Sequence, residues 1–110
     1  MKKFEDLTPE DKKKIGLNGC GPKGGRIKPP HAIFFHASCL HHDWGYWKGC
    51  TEEHREICDK KFYDAMVKDC SGLPMLQYLK YKPWCFLYYV AVRNFGKPYF
   101  YYAYTQREIE

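Results

Sequence analysis

The segment CLHHDWGYW, residues 39–47, places a histidine and an aspartate side by side in an apolar, aromatic stretch. Ionisable side chains cost free energy to bury unless they are paired or hydrogen-bonded. The surrounding segment begins at Pro30, contains few helix breakers and ends near Gly49, which predicts a largely buried helix. His42 and Asp43 therefore need partners from elsewhere in the chain.

A second helix is predicted directly after the first. Thr51 is a capping residue, two glutamates follow it, and the run TEEHREICDKKFYDAMVKDC continues to Cys70. The i, i+3, i+4, i+7 spacing of a buried stripe is occupied by Asp59, Phe62, Tyr63 and Met66. Because the connecting turn is short, the two helices are expected to be antiparallel, and Asp59 can then reach the imidazole of His42.

The remaining segments also predict helices. A short helix capped by Thr8 is expected to end by Gly16. A third helical region begins near Pro74, and Pro83 is expected to break it, so that a separate helix ends at Gly96. The C-terminal run KPYFYYAYTQREIE is expected to form a strand or an extended arm. The predicted fold class is therefore all-α.

Residues 17–30, LNGCGPKGGRIKPP, contain too many glycines and prolines for regular structure and predict a loop. Its alternatives are a simple connector and a cation site, because such a loop can turn several carbonyls towards one point. If Cys20 is bonded to Cys39, the loop lies one turn before Asp43. The carbonyls beside that carboxylate are then those around Gly19, Gly21 and Gly24. A carboxylate, carbonyls and water form the ligand set of a hard cation, and the flexible geometry suits calcium better than magnesium.

The chain length of 110 residues predicts a single domain, residues 1–110. Six cysteines in so short a chain favour three disulfides and an oxidising, extracellular location. The N-terminal run MKKFEDLTPEDKKKIG has no continuous apolar stretch, so the sequence as given shows no secretory signal. No run is long and apolar enough to cross a membrane.

The formal net charge of +5 favours acidic partners such as anionic lipid surfaces or nucleic acid. The aromatic content of 18%, with ten tyrosines, suits a membrane interface or a stacking surface. Nucleic-acid binding is disfavoured because no recognised motif supports it. Candidate bilayer contacts are Lys80, Lys82, Trp84, Phe86, Tyr88, Tyr89 and the tail tyrosines, although most of WCFLYYVAV is expected to pack against the central helices.

His42 and Asp43 point about 100° apart on a helix and therefore face different neighbours. An aspartate that holds one imidazole nitrogen fixes the tautomer and leaves the other nitrogen to accept a proton from a nucleophile. Taken singly, His42 could be a satisfied core histidine, Asp43 a solvated helix acid, and Asp59 a partner of Lys60 or Lys61. Their joint placement beside a glycine-rich loop favours a functional site.

The run Cys39-Leu-His-His42-Asp43-Trp-Gly-Tyr46 resembles the C-x-x-H-D-x-x-Y motif of the secreted calcium-dependent phospholipases A2, most closely the compact bacterial and fungal branch. The resemblance covers Asn18 to Cys70 well and the ends weakly. It implies a small disulfide-stapled domain with two antiparallel central helices and a glycine-rich calcium loop. It also implies calcium-dependent hydrolysis of the sn-2 ester of glycerophospholipids, which releases a fatty acid and a lysophospholipid.

The same resemblance implies a role for each site residue. His42 would be the general base that activates a water, Asp59 would orient it, and Tyr46 would support both through a hydrogen bond. Asp43 would hold Ca²⁺ with the loop carbonyls, and the cation would polarise the ester carbonyl. The loop contains one residue more than the usual C-G-x-G-G pattern, so the third carbonyl is that of Lys23 or Gly24. The implied disulfides are Cys20–Cys39, Cys70–Cys85 and Cys50–Cys58.

The resemblance implies an anionic phospholipid membrane surface as partner and a monomeric, secreted protein. The cationic side chains that flank the loop and suit anionic headgroups are Lys23, Arg26 and Lys28. One alternative is a phospholipase-like binding module or toxin without catalysis, although the histidine and aspartate are both intact. Another is a zinc module, whose candidate ligands would be Cys39, His42, Cys50, His54 and Cys58. Their spacing matches no compact zinc finger and leaves Asp59 without a role.

Overall fold

The structure is a computed structural model that describes residues 3–17, 19–20 and 31–108. Its helices in chain order are α1 (Pro9–Ile15), α2 (His36–Lys48), α3 (Glu52–Ser71) and α4 (Met75–Phe95), with single 3-10 turns at Phe4–Asp6 and Lys97–Tyr99. Among the described residues the one β-type pairing is an isolated bridge between Cys50 and Tyr102. The predicted all-α class is confirmed.

Two helix starts follow the sequence signals closely. The hydroxyl of Thr8 accepts the backbone N–H of Asp11 at 3.0 Å, and the Asp11 carboxylate accepts the N–H of Thr8 at 3.1 Å. This reciprocal pair caps α1, which ends at Gly16 in the left-handed conformation, φ 78°. Thr51 caps α3 by accepting the N–H of His54 at 3.4 Å. Both predicted caps are confirmed.

Helix α2 is shorter than predicted. The expected helix ran on from Pro30, whereas α2 begins at His36 and residues 31–35 form a turn. His31 has a φ of 63°, and this left-handed backbone cannot continue into a right-handed α-helix. The other end of α2, at Lys48, agrees with the prediction.

Pro83 does not break the third helical region, so the prediction of two separate helices there was wrong. Helix α4 continues through it from Met75 to Phe95. Proline removes one helical N–H and thereby leaves the carbonyl of Leu79 without its usual partner. Leu79 and Pro83 are both exposed, so water can hydrate that carbonyl. The opposite face of α4 is held in the core by Cys85, which is fully buried.

Helices α2, α3 and α4 form an antiparallel layer with the core between them. Ser38 donates to Asp69 at 2.6 Å and His42 contacts Asp59 at 2.8 Å. Later residues of α2 therefore contact earlier residues of α3, as antiparallel helices do. Arg93 of α4 likewise reaches back to Asp59. The shared core consists of Phe35, Cys39, Phe62, Met66, Cys70 and Cys85. The predicted antiparallel pairing of the two central helices is confirmed.

Helix α4 carries apolar side chains on two opposite faces. One face packs on the core through Tyr81, Trp84, Cys85, Tyr88 and Val92. The other is exposed to solvent and carries Met75, Leu76, Leu79, Phe86 and Leu87. Within the described part of the chain, no helix is both long and apolar enough to span a bilayer.

The C-terminal tail runs as an extended segment along the end of α2. The N–H of Cys50 donates to the carbonyl of Tyr101 at 2.9 Å, and the N–H of Ala103 returns a bond to Cys50 at 2.8 Å. Further along, the N–H of Arg107 donates to the carbonyl of Lys48 at 2.8 Å. Of the two predicted forms, the extended arm is the one observed, with one bridge in place of a strand.

One of the three predicted disulfides is present. Cys20 and Cys39 are bonded across a separation of 19 residues. Cys70 and Cys85 lie with their sulfurs 3.7 Å apart as free thiols, and burial raises the pKa of Cys85 to about 12. The residues of the third predicted pair are also free.

The predicted Cys50–Cys58 bond is wrong for this structure. Cys50 adopts a φ of 118°, and its thiol donates to the carbonyl of Tyr104 in the tail at 3.5 Å. The Cys58 thiol instead lies against the backbone of Gly45, where an added Cβ would sit 2.7 Å from the sulfur. The two sulfurs are therefore held in different environments, and Gly45 leaves the space that Cys58 fills.

Candidate active site

His42 and Asp59 form a buried pair between α2 and α3. The imidazole Nε2 of His42 lies 2.8 Å from Oδ1 of Asp59, whose side chain is fully buried. Burial alone would raise the pKa of Asp59, but hydrogen bonds with His42, Tyr46 and Arg93 outweigh it and lower the pKa. An ionised carboxylate only accepts hydrogen bonds, so Nε2 of His42 is the donor in this contact.

Tyr46 lies one helical turn after His42 and contacts the same carboxylate oxygen. Its hydroxyl donates to Oδ1 of Asp59 at 2.6 Å. Burial, followed by this bond to Asp59, raises the pKa of Tyr46 far above its usual value, so the hydroxyl stays protonated and keeps donating. Phe62 stacks on the imidazole with 4.4 Å between ring centroids, and Phe100 meets Tyr46 edge-on at 5.1 Å. The two polar rings are thus fixed by apolar neighbours.

Asp43 faces the start of the glycine-rich segment. Its Oδ2 accepts the backbone N–H of Gly19 at 3.0 Å. Gly19 is buried with a φ of 88°, and an added Cβ would lie 2.7 Å from the His36 ring, so only glycine fits there. The Cys20–Cys39 disulfide holds this segment against α2. Gly19 therefore lies beside Asp43, but the contact with the carboxylate is made by its N–H, whereas the sequence predicted its carbonyl as the neighbour of that carboxylate.

The rest of the predicted loop lies outside the described residues. This applies to the other carbonyl ligands, Gly21 and Gly24, and to the candidate headgroup contacts, Lys23, Arg26 and Lys28. Over residues 3–17, 19–20 and 31–108, no three His, Cys, Asp or Glu side chains converge to form a metal site. Cys39 is bonded to Cys20, so it offers no thiolate to zinc.

A cavity of about 350 Å³ connects these groups, within the size range of small-molecule sites. Gly19, His42 and Asp43 line it on the polar side. Its other walls are apolar and include Phe62, Tyr88, Ala91, Val92, Phe95 and Tyr99. Burial raises the pKa of Tyr88 to about 12, so that phenol is neutral. The site therefore combines one histidine and one carboxylate with a mostly apolar cavity.

Two arginines at the site were missed in the sequence analysis. Arg93 Nη1 donates to Oδ2 of Asp59 at 2.8 Å, and Arg55 Nη1 lies 3.5 Å from the same oxygen. Both guanidinium groups also contact Glu52: Arg55 through two bonds of 2.7 and 2.9 Å, and Arg93 through one of 3.2 Å. The bonds from Arg55, the largest cause, lower the pKa of Glu52 to about 2. Two carboxylates thus balance two guanidinium groups beside His42.

The two missed arginines differ in how visible they are from sequence. Arg55 lies three residues after Glu52 and four before Asp59, the spacing at which charged side chains on one helix interact. Arg93 is 34 residues from Asp59 and carries no local signal. The neighbouring His41 packs against Phe4 of the N-terminal segment, with 3.7 Å between ring centroids and the rings tilted by 30°.

The comparisons with known proteins leave the family open, because no protein-family model, no curated protein and no solved structure matches this chain.

Proposed function

We propose that this chain is a calcium-dependent phospholipase A2 that hydrolyses the sn-2 ester of glycerophospholipids. The observation that carries the proposal is the position of His42, which is hydrogen-bonded to the buried Asp59 through Nε2 and also lines the cavity. Nε2 is engaged by Asp59, which is not among the residues that line the cavity, so Nδ1 is the ring nitrogen left to act there. This is the arrangement that a general base requires.

In the proposed reaction, Nδ1 of His42 takes a proton from the attacking water. Asp59 stabilises the imidazolium that forms and keeps the ring in one orientation. Tyr46 and Arg93 hold Asp59 in place through its two oxygens. The proton on Nδ1 is then available to the leaving glycerol oxygen, which completes ester cleavage.

The donor set around Asp43 fits a hard cation in part. Asp43 and Gly19 lie together on the cavity wall that His42 shares; the Gly19 N–H donates to Oδ2 of Asp43, and its carbonyl is the proposed ligand. The other proposed ligands, the carbonyls of Gly21 and of Lys23 or Gly24, belong to the segment that the structure does not describe. Calcium held there would supply Lewis-acid polarisation of the ester carbonyl.

The proposed partner is an anionic phospholipid surface. The exposed apolar face of α4 carries Met75, Leu76, Leu79, Phe86 and Leu87. The sequence from Ser71 to Arg107 contains no Asp or Glu, while Lys80 and Lys82 flank that face. Apolar side chains beside lysines complement a bilayer that carries negative headgroups. The Cys20–Cys39 disulfide supports the proposed secretion, and the enzyme is proposed to act as a monomer.

The test is release of fatty acid from phosphatidylglycerol vesicles in the presence of calcium or of a chelator. We expect release only with calcium, and we expect His42→Gln to abolish it because the variant has no base. His41→Gln, which changes the neighbouring exposed histidine, is the matched control and should retain activity. Vesicle binding without release would favour the non-catalytic binding module, and equal release by wild type and His42→Gln would overturn the proposal.

A further inference from the structure

Arg93 connects the cavity wall to the His42–Asp59 pair. It belongs to α4, next to Val92, which lines the cavity, and its side chain crosses to α3. Its Nη1 donates to Oδ2 of Asp59 at 2.8 Å and its Nη2 to Oε2 of Glu52 at 3.2 Å. The guanidinium therefore bridges two carboxylates and has little freedom to turn.

The two oxygens of Asp59 are divided between different kinds of donor. Oδ1 receives His42 at 2.8 Å and the hydroxyl of Tyr46 at 2.6 Å. Oδ2 receives Arg93. A carboxylate can rotate about its Cβ–Cγ bond, so the direction in which Oδ1 faces the imidazole depends on the donor that holds Oδ2. Here Arg93 holds it.

Arg55 cannot take over this function without giving up bonds of its own. Its Nε and Nη2 are both bonded to Glu52, and its Nη1 donates to the carbonyl of Val92 at 3.0 Å. The distance of 3.5 Å between Nη1 and Asp59 is an ion-pair contact, longer than an ordinary N–H···O bond. Arg93 thus makes the shorter and better directed contact with Oδ2.

We propose that Arg93 is a positioning residue that locks the Asp59 carboxylate, so that His42 carries its proton on Nε2 alone and presents a bare Nδ1 to the cavity. The proposal rests on the proposed function for its catalytic consequence, but the tautomer of His42 is a property of the folded chain with or without substrate. Without Arg93, Oδ2 loses its closest donor, the carboxylate is free to turn, and both neutral tautomers of His42 become populated.

The experiment compares wild type with Arg93→Met, which keeps an unbranched apolar stem but has no donor, and Arg93→Lys, which keeps one cationic donor. The matched control is Lys97→Met, because Lys97 is an exposed cation just beyond α4. The tautomer of His42 is measured from ¹⁵N chemical shifts at mildly alkaline pH without calcium. Turnover is measured separately on a short-chain phospholipid below its micelle concentration, so that vesicle binding does not contribute.

We expect a single Nε2–H tautomer in wild type, Arg93→Lys and Lys97→Met, and a mixture in Arg93→Met. We expect kcat of Arg93→Met to fall about 10- to 100-fold with KM unchanged, the usual size of effect when a residue that orients a functional side chain is removed. Arg93→Lys should recover most of kcat, and Lys97→Met should match wild type.

An unchanged tautomer in Arg93→Met would overturn the proposal, as would a rise in KM with kcat unchanged. If Arg93→Met does not fold, Arg93→Gln is measured instead, because its shorter, uncharged side chain lacks both the charge and the reach of the guanidinium, and the same mixture is expected. If wild type releases no fatty acid, the proposed function fails. The tautomer measurement still decides whether Arg93 positions Asp59.

Discussion

Two aspartates near the same cavity are held in different ways. Asp59 is fully buried and is contacted by side chains from three helices. Two of these side chains are arginines. Asp43 is only partly buried and receives the backbone N–H of Gly19, which belongs to an irregular segment tied to α2 by a disulfide. The environment of Asp59 is therefore fixed by the helix core, whereas that of Asp43 depends on the loop.

This difference separates the two chemical tasks of the proposed site. A carboxylate that orients a base benefits from fixed, fully paired surroundings, because a small rotation would change the tautomer of His42. A carboxylate that takes part in a calcium site benefits from neighbours that can adjust, because calcium accepts variable oxygen geometry. The predictions below test this contrast, in order of their expected effect on the free energy of unfolding.

Asp59→Asn is expected to have the largest effect. The neutral amide leaves Arg55 and Arg93 with Glu52 as their one remaining carboxylate partner among the described residues, and breaking a buried pair in this way costs about 3–5 kcal/mol. We also expect kcat to fall by about 10⁴-fold, because an amide can hold His42 in the wrong tautomer. Denaturant unfolding and steady-state kinetics measure the two effects.

Asp64→Asn is the matched control for this change. Asp64 pairs with Lys60 at 3.0 Å on the exposed side of α3, and both side chains are more than 60% exposed. Removing an exposed pair of this kind costs about 0.5 kcal/mol or less. If the two variants lost equal stability, Asp59 would not be the buried centre of the charge network.

Removal of the Cys20–Cys39 disulfide is expected to rank second. Replacing both cysteines by serine opens a loop of 19 residues, which costs about 3 kcal/mol on the chain-entropy estimate. Because Gly19 is then no longer held beside Asp43, calcium affinity should fall more than 10-fold while His42 and Asp59 remain paired. Isothermal titration with calcium and denaturant unfolding test this. Unchanged calcium affinity would separate the disulfide from the cation site, and Cys58→Ser serves as the free-thiol control.

The sequence was sufficient to predict the parts of the site that are local to a helix. The two central helices, the caps at Thr8 and Thr51, and the placement of Asp59 on a buried stripe follow from side-chain type and spacing alone. The Cys20–Cys39 disulfide, which the family resemblance implied, is present and holds Gly19 beside Asp43.

Other features depend on packing that the sequence does not display. Pro83 predicts a break in the helix, but the free energy of the tertiary contacts of α4 exceeds the cost of the one lost hydrogen bond. Arg93 reaches Asp59 only because α4 returns alongside α3. Cys50 faces the tail and not Cys58, since its positive φ redirects the side chain. In each case the structure depends on contacts between residues that are far apart in the sequence.

Tyr46→Phe is expected to cost less than either of the preceding changes. It removes the 2.6 Å bond to Asp59 while the ring still packs against Phe100, and a hydrogen bond to a charged group contributes about 1.5–3 kcal/mol. We expect kcat to fall several-fold because Asp59 retains Arg93. Unfolding and turnover measurements check this prediction. No change in either would show that Tyr46 does not help to hold Asp59.

Asp43→Asn distinguishes the roles of the two aspartates most clearly, because its effects on stability and on activity are expected to differ. The amide oxygen can still accept the N–H of Gly19, so unfolding should change by about 1 kcal/mol. Calcium-dependent release of fatty acid should fall to the level seen with chelator. A stability loss as large as that of Asp59→Asn would show that the two aspartates are not held differently.

The smallest expected effect concerns Glu52 at acid pH. Its pKa is lowered to about 2 from 4.5, chiefly by hydrogen bonds with Arg55, so its contribution to stability is present above about pH 4.5 and is lost as pH falls towards 2. Because 44% of the side chain is exposed, solvent screening keeps that contribution small. Glu52→Gln should therefore flatten the acid limb of an unfolding-versus-pH curve slightly. A steeper limb in the variant would contradict the stabilising contribution expected of ionised Glu52.

The most direct test of the central claim is the position of the ester that is cleaved. Phosphatidylglycerol with different acyl chains at sn-1 and sn-2 is incubated with the protein and calcium, and the products are identified by mass spectrometry. The account predicts the sn-2 fatty acid and an equal amount of sn-1 lysophospholipid from wild type, and neither product from His42→Gln. Release of both acids without preference, or of none under any calcium concentration, would contradict it.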